Sequence, residues 1–252
     1  MVVRRPRLAD YYLTAPAYQF RALRESFELV ELKLPDMIRQ RGFPDWDGDP
    51  ATSGDAVRAQ MHQSLVDQIM PQAYRGAVLV SMWGLYEYTV VLVCDTLRRL
   101  DPGMAPIPTG SNWLRQMKRY FRREVGFPLF PSNPPALEEE LKALQKIRHV
   151  FMHANGMKQT TKEEDWIFLQ RYSESHPGSL DLNRNYVDVS ADFLRGRFDL
   201  VAEAIKHVVG KGRDRLEQLG IPDEGLPEAQ PYHRKLFNWR RWITYVRSFM
   251  RC

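Results

Sequence analysis

Apolar residues recur along most of the chain at spacings of three and four, the period of an amphipathic helix. Phe20, Leu23, Phe27, Val30 and Leu34 form the first stripe, punctuated by Pro35 and Gly42. Residues 43–55 (FPDWDGDPATSGD) read as a loop, and a second helix is expected over about 55–70. Pro71 marks either a boundary or the first turn of a helix over about 72–100. That helix holds the most apolar run of the chain, Ala77 to Cys94 (AVLVSMWGLYEYTVVLVC). Residues 101–111 form a connector, and Asn112 is expected to cap a helix from Trp113 to Val125. Its apolar side is Trp113, Met117, Tyr120 or Phe121, and Val125. A proline-rich loop, Phe127 to Pro135, leads into a helix whose stripe is Leu137, Leu141, Leu144, Ile147, Phe151 and Ala154.

Beyond Gly156 the pattern shortens. Trp166–Tyr172 and Asn185–Val189 read as two β-like runs around His176-Pro177-Gly178-Ser179, which predicts a small hairpin or lobe. Ser190 or Asp192 starts another helix, with Phe193, Phe198, Val201, Ile205 and Val208 or Val209 on one side. Gly210 and Gly212 weaken its end and Gly220 closes it. Residues 220–231 are a linker. In the tail, Leu236, Trp239, Ile243, Val246 and Met250 again alternate by three and four. There is no repeat at solenoid periods and no low-complexity tract. The expected architecture is mainly α: an up-down helical bundle over 72–219 with a small β-hairpin insert. A helical extension over 1–71 precedes it, and a linker and basic tail helix over 220–252 follow.

Composition sharpens this reading. Of 252 residues, 44% are hydrophobic and 27% charged, which is ordinary for a globular chain and argues against disorder throughout. Two cysteines, Cys94 and Cys252, are too few for a disulfide framework or a four-cysteine zinc site. Met1–Asp10 is Arg-rich with no apolar stretch behind it, so no signal peptide is expected. The run Ala77–Cys94 is borderline in length for a membrane span. It contains Glu87, however, and an acid at mid-membrane costs about 2.5–3.5 kcal/mol. With a mean hydropathy of −0.46, a buried central helix is the simpler expectation.

The net charge is +5, and 27 of the 36 cations are arginine. Arginine's planar fork suits phosphate and stacks on bases, so the balance leans toward nucleic acid. Two segments concentrate it. The helix 113–125 carries Arg115, Lys118, Arg119, Arg122 and Arg123. The tail Tyr232–Cys252 carries six cations, Arg240 and Arg241 among them, with six interleaved aromatics and no acid. Such a tail can pack on the bundle or a second protomer, contact RNA, or rest on an anionic membrane surface.

Candidate chemistry lies on two segments. Asp45, Asp47 and Asp49 invite a calcium reading, but Gly48 precedes the third acid and Ala56 stands where the loop wants glutamate. The helix from Pro135 is richer, with Gln145, Arg148, His149 and His153 beside its apolar stripe. His149 and His153 are one turn apart and share a face. Arg148 and His153 are offset by about 140° on an ideal helix. They converge if their side chains lean together or the helix loosens toward Gly156. Three readings stand open. One is a polar face without chemistry. Another is a metal site, since His-x3-His is a zinc spacing, with His176, His207 or His233 as the distant third ligand. The third is acid–base chemistry on RNA. An imidazole titrates near pH 6.5 and passes a proton to or from a ribose oxygen, while a guanidinium holds the phosphate.

The segment Ile147-Arg148-His149-Val150-Phe151-Met152-His153 resembles the Arg-x4-His signature of the HEPN superfamily. Its place near the end of an amphipathic helix before Gly156 agrees with that pattern. So does the earlier apolar helix with an embedded acid in WGLYEYTVV, and so does the closing helix after a variable insert. The resemblance covers about residues 72–219. It implies a helical bundle that forms a homodimer and acts as a metal-independent endoribonuclease without cofactor, leaving 2′,3′-cyclic phosphate. Arg148 would bind the scissile phosphate, His153 would be the general acid or base, and His149 would orient the pair. Glu87 would orient or neutralise Arg148. The partners implied are RNA (tRNA or mRNA) and an antitoxin or regulatory protein, in a cytoplasmic toxin or antiviral defence setting, with no stable membrane insertion. One departure is Asn155, where toxins silenced by nucleotidylylation carry Tyr. The alternative implied by the same resemblance is a non-catalytic interaction or RNA-binding module.

Overall fold

A computed structural model describes residues 8–40, 70–110, 112–131, 136–154, 156–182 and 186–220. The described part is mainly α: six helices and one two-stranded hairpin. The acidic loop 43–55, the helix expected over 55–70, Asn155 and the basic tail lie outside the described residues.

The central element is α2, Met70–Leu100, with Pro71 in its first turn. Residues on all sides of it are buried, including Leu79, Met82, Trp83, Tyr86, Val90, Val93 and Cys94, because helices enclose it. It is long and apolar enough to cross a membrane, and 56% of its most apolar window is buried inside the protein. Glu87 is among its partly exposed positions. The amino-terminal helix α1, Leu8–Gln40, runs past Pro35 rather than ending there. Phe20 and Phe27, seven residues apart, share one face and meet Phe198 of the last helix at 5.5 Å between ring centroids. Arg75 of α2 pairs with Glu31 at 2.9 Å, fixing the α1–α2 contact at its edge.

The short helix α3, Trp113–Tyr120, continues as a π-turn over Phe121–Val125 and stops at Gly126, whose φ is 84°. Leu114, Met117, Tyr120, Phe121 and Val125 are buried, so the basic residues occupy the opposite face. Asn112 precedes α3 with φ 60° and makes no side-chain cap, contrary to the capping role expected of it. In this left-handed conformation it serves as a turn residue, which asparagine tolerates better than most. The motif helix α4, Ala136–Ala154, buries the whole predicted stripe from Leu137 to Ala154.

After α4 the sequence expectation is corrected. Trp166–Tyr172 is not a strand; it lies in helix α5, Glu163–Ser175. Trp166, Leu169 and Tyr172 are buried at a spacing of three, and that period favours a helix over a strand. The hairpin is instead β1, Leu180–Leu182, paired antiparallel with β2, Val187–Val189. Its register sets Leu180 opposite Val189 and Leu182 opposite Val187. The last helix, α6, Ala191–Gln218, is capped by the Ser190 hydroxyl, which accepts from the Phe193 amide at 3.1 Å. It continues through Gly210 and Gly212. Gly212 is there for contact, since a Cβ would stand 2.8 Å from Val93 of α2.

Glu140 ties the second half together. Its carboxylate accepts from the Tyr172 hydroxyl at 2.8 Å, lies 3.1 Å from His176 Nε2, and pairs with Arg197. One α4 acid thus joins α5, its C-terminal turn and α6. Burial opposes ionisation of Glu140, but Tyr172 and Arg197 outweigh it and hold the carboxyl below its usual range.

Candidate functional site

The exposed side of α4 carries Glu138, Lys142, Gln145, His149 and His153. Their spacings of four, three, four and four keep them within about 80° of arc on a helix turning 100° per residue. The first three, with the basic face of α3, line a groove of about 790 Å³. Every cation predicted on helix 113–125 reaches it: Arg115, Lys118, Arg119, Arg122 and Arg123. Among the described residues, no acid pairs with Arg115, Arg119 or Arg122, whereas Lys118 binds Glu138 at 2.6 Å. A groove lined by unneutralised guanidinium groups attracts phosphate. The groove ends at Gln145, one turn before His149. Lys142, Glu138 and Phe130 also line it and were not singled out in the sequence. The α4 face spacing was the signal that could have found the first two. Arg240 and Arg241 lie outside the described residues.

Arg148 turns away from this face toward α2. Its Nη2 lies 3.6 Å from Glu87 Oε2, and the two side chains are 24% and 27% exposed. That separation is an ion pair, too long for a hydrogen bond. Among the described residues, the buried Arg148 Nε has no hydrogen-bond partner. Glu87 therefore balances the guanidinium charge without taking a hydrogen bond from it. Beside Glu87, Tyr86 packs against Trp83 and Trp113 with centroids 5.4 and 6.4 Å away.

The two histidines converge. Their ring centroids are 4.4 Å apart with planes inclined at 52°, and both residues are exposed. The His149 ring is held below the ordinary imidazole range, first by burial and then by His153, against the opposing pull of Asp165. At neutral pH it is an uncharged ring poised to accept or donate a hydrogen bond.

The structure does not loosen α4 to bring Arg148 and His153 together. The helix stays α to Ala154, and the Gly156 amide then reaches the Val150 carbonyl at 3.3 Å. Among the described residues, neither a hydrogen bond nor an ion pair joins Arg148 to His153. The arrangement is two adjacent pairs: His149–His153 on one arc of α4, and Arg148 on a neighbouring arc of α4 paired with Glu87 of α2.

Among the described residues, no third metal ligand is brought to the histidine pair. His176 is engaged with Glu140, and His207 Nε2 lies 3.1 Å from the Pro128 carbonyl. No group of three or more metal-ligating side chains occurs among the described residues. His233 and the triple aspartate at 45–49 lie outside them. Comparison of the chain with known protein families, curated proteins and solved structures finds no match.

Proposed function

We propose that the protein is a metal-independent endoribonuclease of the HEPN kind, with Arg148, His149 and His153 at its centre. The observation that carries this reading is the continuous α4 face. It runs from a groove that holds Arg115, Arg119 and Arg122, which pair with no acid among the described residues, to the paired histidines. RNA backbone held in the groove passes the imidazoles, and Arg148 lies one residue from His149 on the neighbouring arc that faces Glu87.

In this reading the ribose 2′-oxygen attacks the adjacent phosphorus. One imidazole takes the 2′-hydroxyl proton, and the bond from phosphorus to the leaving 5′-oxygen breaks. The imidazolium so formed gives the proton to that oxygen, leaving a 2′,3′-cyclic phosphate and a free 5′-hydroxyl. Arg148 binds the non-bridging oxygens as negative charge accumulates. His153 is the acid or base, His149 orients it, and Glu87 holds Arg148. A homodimer is part of the proposal. Met152 and Tyr88, each adjacent in sequence to a site residue, are 47% and 41% exposed and offer apolar surface for a second copy. RNA is the partner proposed for the groove, and an antitoxin or other regulatory protein would restrain the activity in the cytoplasm.

The experiment is cleavage of total RNA and tRNA in excess EDTA, with fragment ends mapped. His153→Ala should lower the rate by about 10²- to 10⁴-fold. Its stability should stay within about 0.5 kcal/mol, since the residue is exposed. Arg148→Ala should also lose cleavage. Cleavage that EDTA abolishes, or that survives both substitutions, would overturn the assignment.

The Glu87–Arg148 pair favours one second reading, a helical interaction or RNA-binding module in which Arg148 serves the packing of α2 on α4. It predicts RNA binding without His153-dependent cleavage, so the same assay separates the two.

A further inference from the structure

One acid sits in the middle of the basic groove. Glu138 receives Lys118 Nζ at 2.6 and 2.7 Å on its two oxygens, and Lys142 Nζ at 3.0 Å. Lys118 comes from α3 and Glu138 from α4, so this bridge crosses the groove from wall to wall. On its other side lies a second cavity of about 380 Å³, bounded by the turn Pro128–Pro131. The two cavities share Lys118, Arg122, Phe130 and Glu138. The bridge is therefore the partition between them.

Its chemistry is that of a removable partition. The carboxylate is an anion of the same charge sign as a phosphodiester and occupies the Lys118 ammonium that a phosphate would use, while it shares Lys142 with Glu139, which lies 2.7 Å from that ammonium. The three side chains are 41%, 23% and 47% exposed, so water and a competing anion reach them. Ion pairs this exposed are weak. Burial pushes the Glu138 carboxyl up, and the two ammonium groups bring it below its usual range, so at neutral pH it holds both lysines.

We propose that the Lys118–Glu138–Lys142 bridge is an ionic latch that a phosphate of single-stranded RNA displaces, joining the basic groove to the smaller cavity behind it in one track toward His149 and His153. This rests on the RNA reading of the groove, but not on cleavage. The latch sets a threshold. An isolated anion gains little by opening it, whereas a strand already held by Arg115, Arg119 and Arg122 does so at small further cost. Selectivity for an extended polyanion follows.

The test is binding of a short oligouridine, measured across a salt series in the full-length His153→Ala protein so that no strand is cut. Glu138→Gln should tighten binding about fivefold, the effect of one unit charge removed at a few ångströms in water. It should also steepen the salt dependence by about 0.7 in log–log slope for each lysine released. Glu203→Gln, the same charge change at an exposed position of α6, should do neither. In a Lys118→Met/Lys142→Met background the steepening of the salt dependence by Glu138→Gln should vanish. Equal effects of Glu138→Gln and Glu203→Gln, or a steepening that persists without the lysines, would overturn the latch. So would a gain seen with oligoglutamate and absent with RNA, or no oligouridine binding by any variant. Binding with the expected Glu138 dependence but no cleavage by the wild type would overturn the ribonuclease reading and leave the latch standing.

Discussion

Adding a single methyl group at Gly76 should reveal how tightly the motif helix is seated. A Cβ there would lie 2.5 Å from Phe151 Cδ1 and 2.7 Å from Cε1. Carbon atoms in ordinary contact stand about 3.5–4.0 Å apart, so the ring must retreat by about 1 Å. Phe151 is buried, and the backbone of Gly156 closes another side, where a Cβ would lie 3.1 Å from the same ring. Overpacking of this kind costs about 1–3 kcal/mol. Against it, alanine in a helix interior gains about 1 kcal/mol over glycine. Gly76→Ala should therefore be neutral to destabilising by about 2 kcal/mol in the native sequence. In a Phe151→Ala background the clash is gone, and the same substitution should stabilise by about 1 kcal/mol. Urea unfolding of the four proteins in this cycle gives the coupling directly. A coupling below about 0.5 kcal/mol would refute the packing argument. Because Phe151 sits between Arg148 and His153, Gly76→Ala should also slow RNA cleavage without touching a charged group.

Three further outcomes follow from buried or titrating groups. Among the described residues, the buried Tyr86 Oη has no hydrogen-bond partner, so Tyr86→Phe should leave thermal stability unchanged or raise it; a loss above about 1 kcal/mol would show that the hydroxyl is satisfied. His149 is held below the imidazole range, so the unfolded chain takes up its proton first as pH falls through about 6.5. Stability should decline on acidification and level off once the folded ring is protonated; His149→Gln should remove that slope from a series of melting temperatures, and an unchanged slope would contradict the assignment. Burial raises the Asp188 carboxyl despite Arg75, and Asp181 stands opposite it in the hairpin. The folded chain therefore keeps this proton to higher pH than the unfolded chain, whose aspartate titrates near 3.9, and stability is lost as pH rises through that window. Asp188→Asn should raise the melting temperature at neutral pH and have little effect at low pH; a lower melting temperature at neutral pH would refute this.

The helical framework was legible because its stripes are long and their phase is unambiguous. Leu137 through Ala154 names one face of α4, and every member is buried. The basic helix was legible for the same reason, since its apolar residues fix the direction of its arginines. The misread segment was Trp166–Tyr172, a short run in which aromatic residues raise β propensity while the period of three is visible only across two turns. Tertiary context decides such segments. The glycines that set helix approach were also opaque. Gly212 reads as a weak point of its helix, yet it and Gly76 are both places where a residue of another helix comes close. That meaning exists only once Phe151 and Val93 are placed against them.

The candidate site shows a different limit. The motif names Arg148 and His153, but five residues along an ideal helix separate them by about 140°. What the helix itself brings together is His149 with His153, because four residues nearly complete a turn. The partner of Arg148 comes from α2, which no spacing within α4 could reveal. The groove likewise depends on Lys118 and Glu138 meeting across two helices that are twenty residues apart in sequence. Local periodicity therefore specifies which side chains share a face, and packing specifies which faces share a cleft. On α4 those two levels agree at one place. The face that closes the basic groove with Lys142 and Gln145 is the face that continues to the histidines, and the proposed function rests on that continuity.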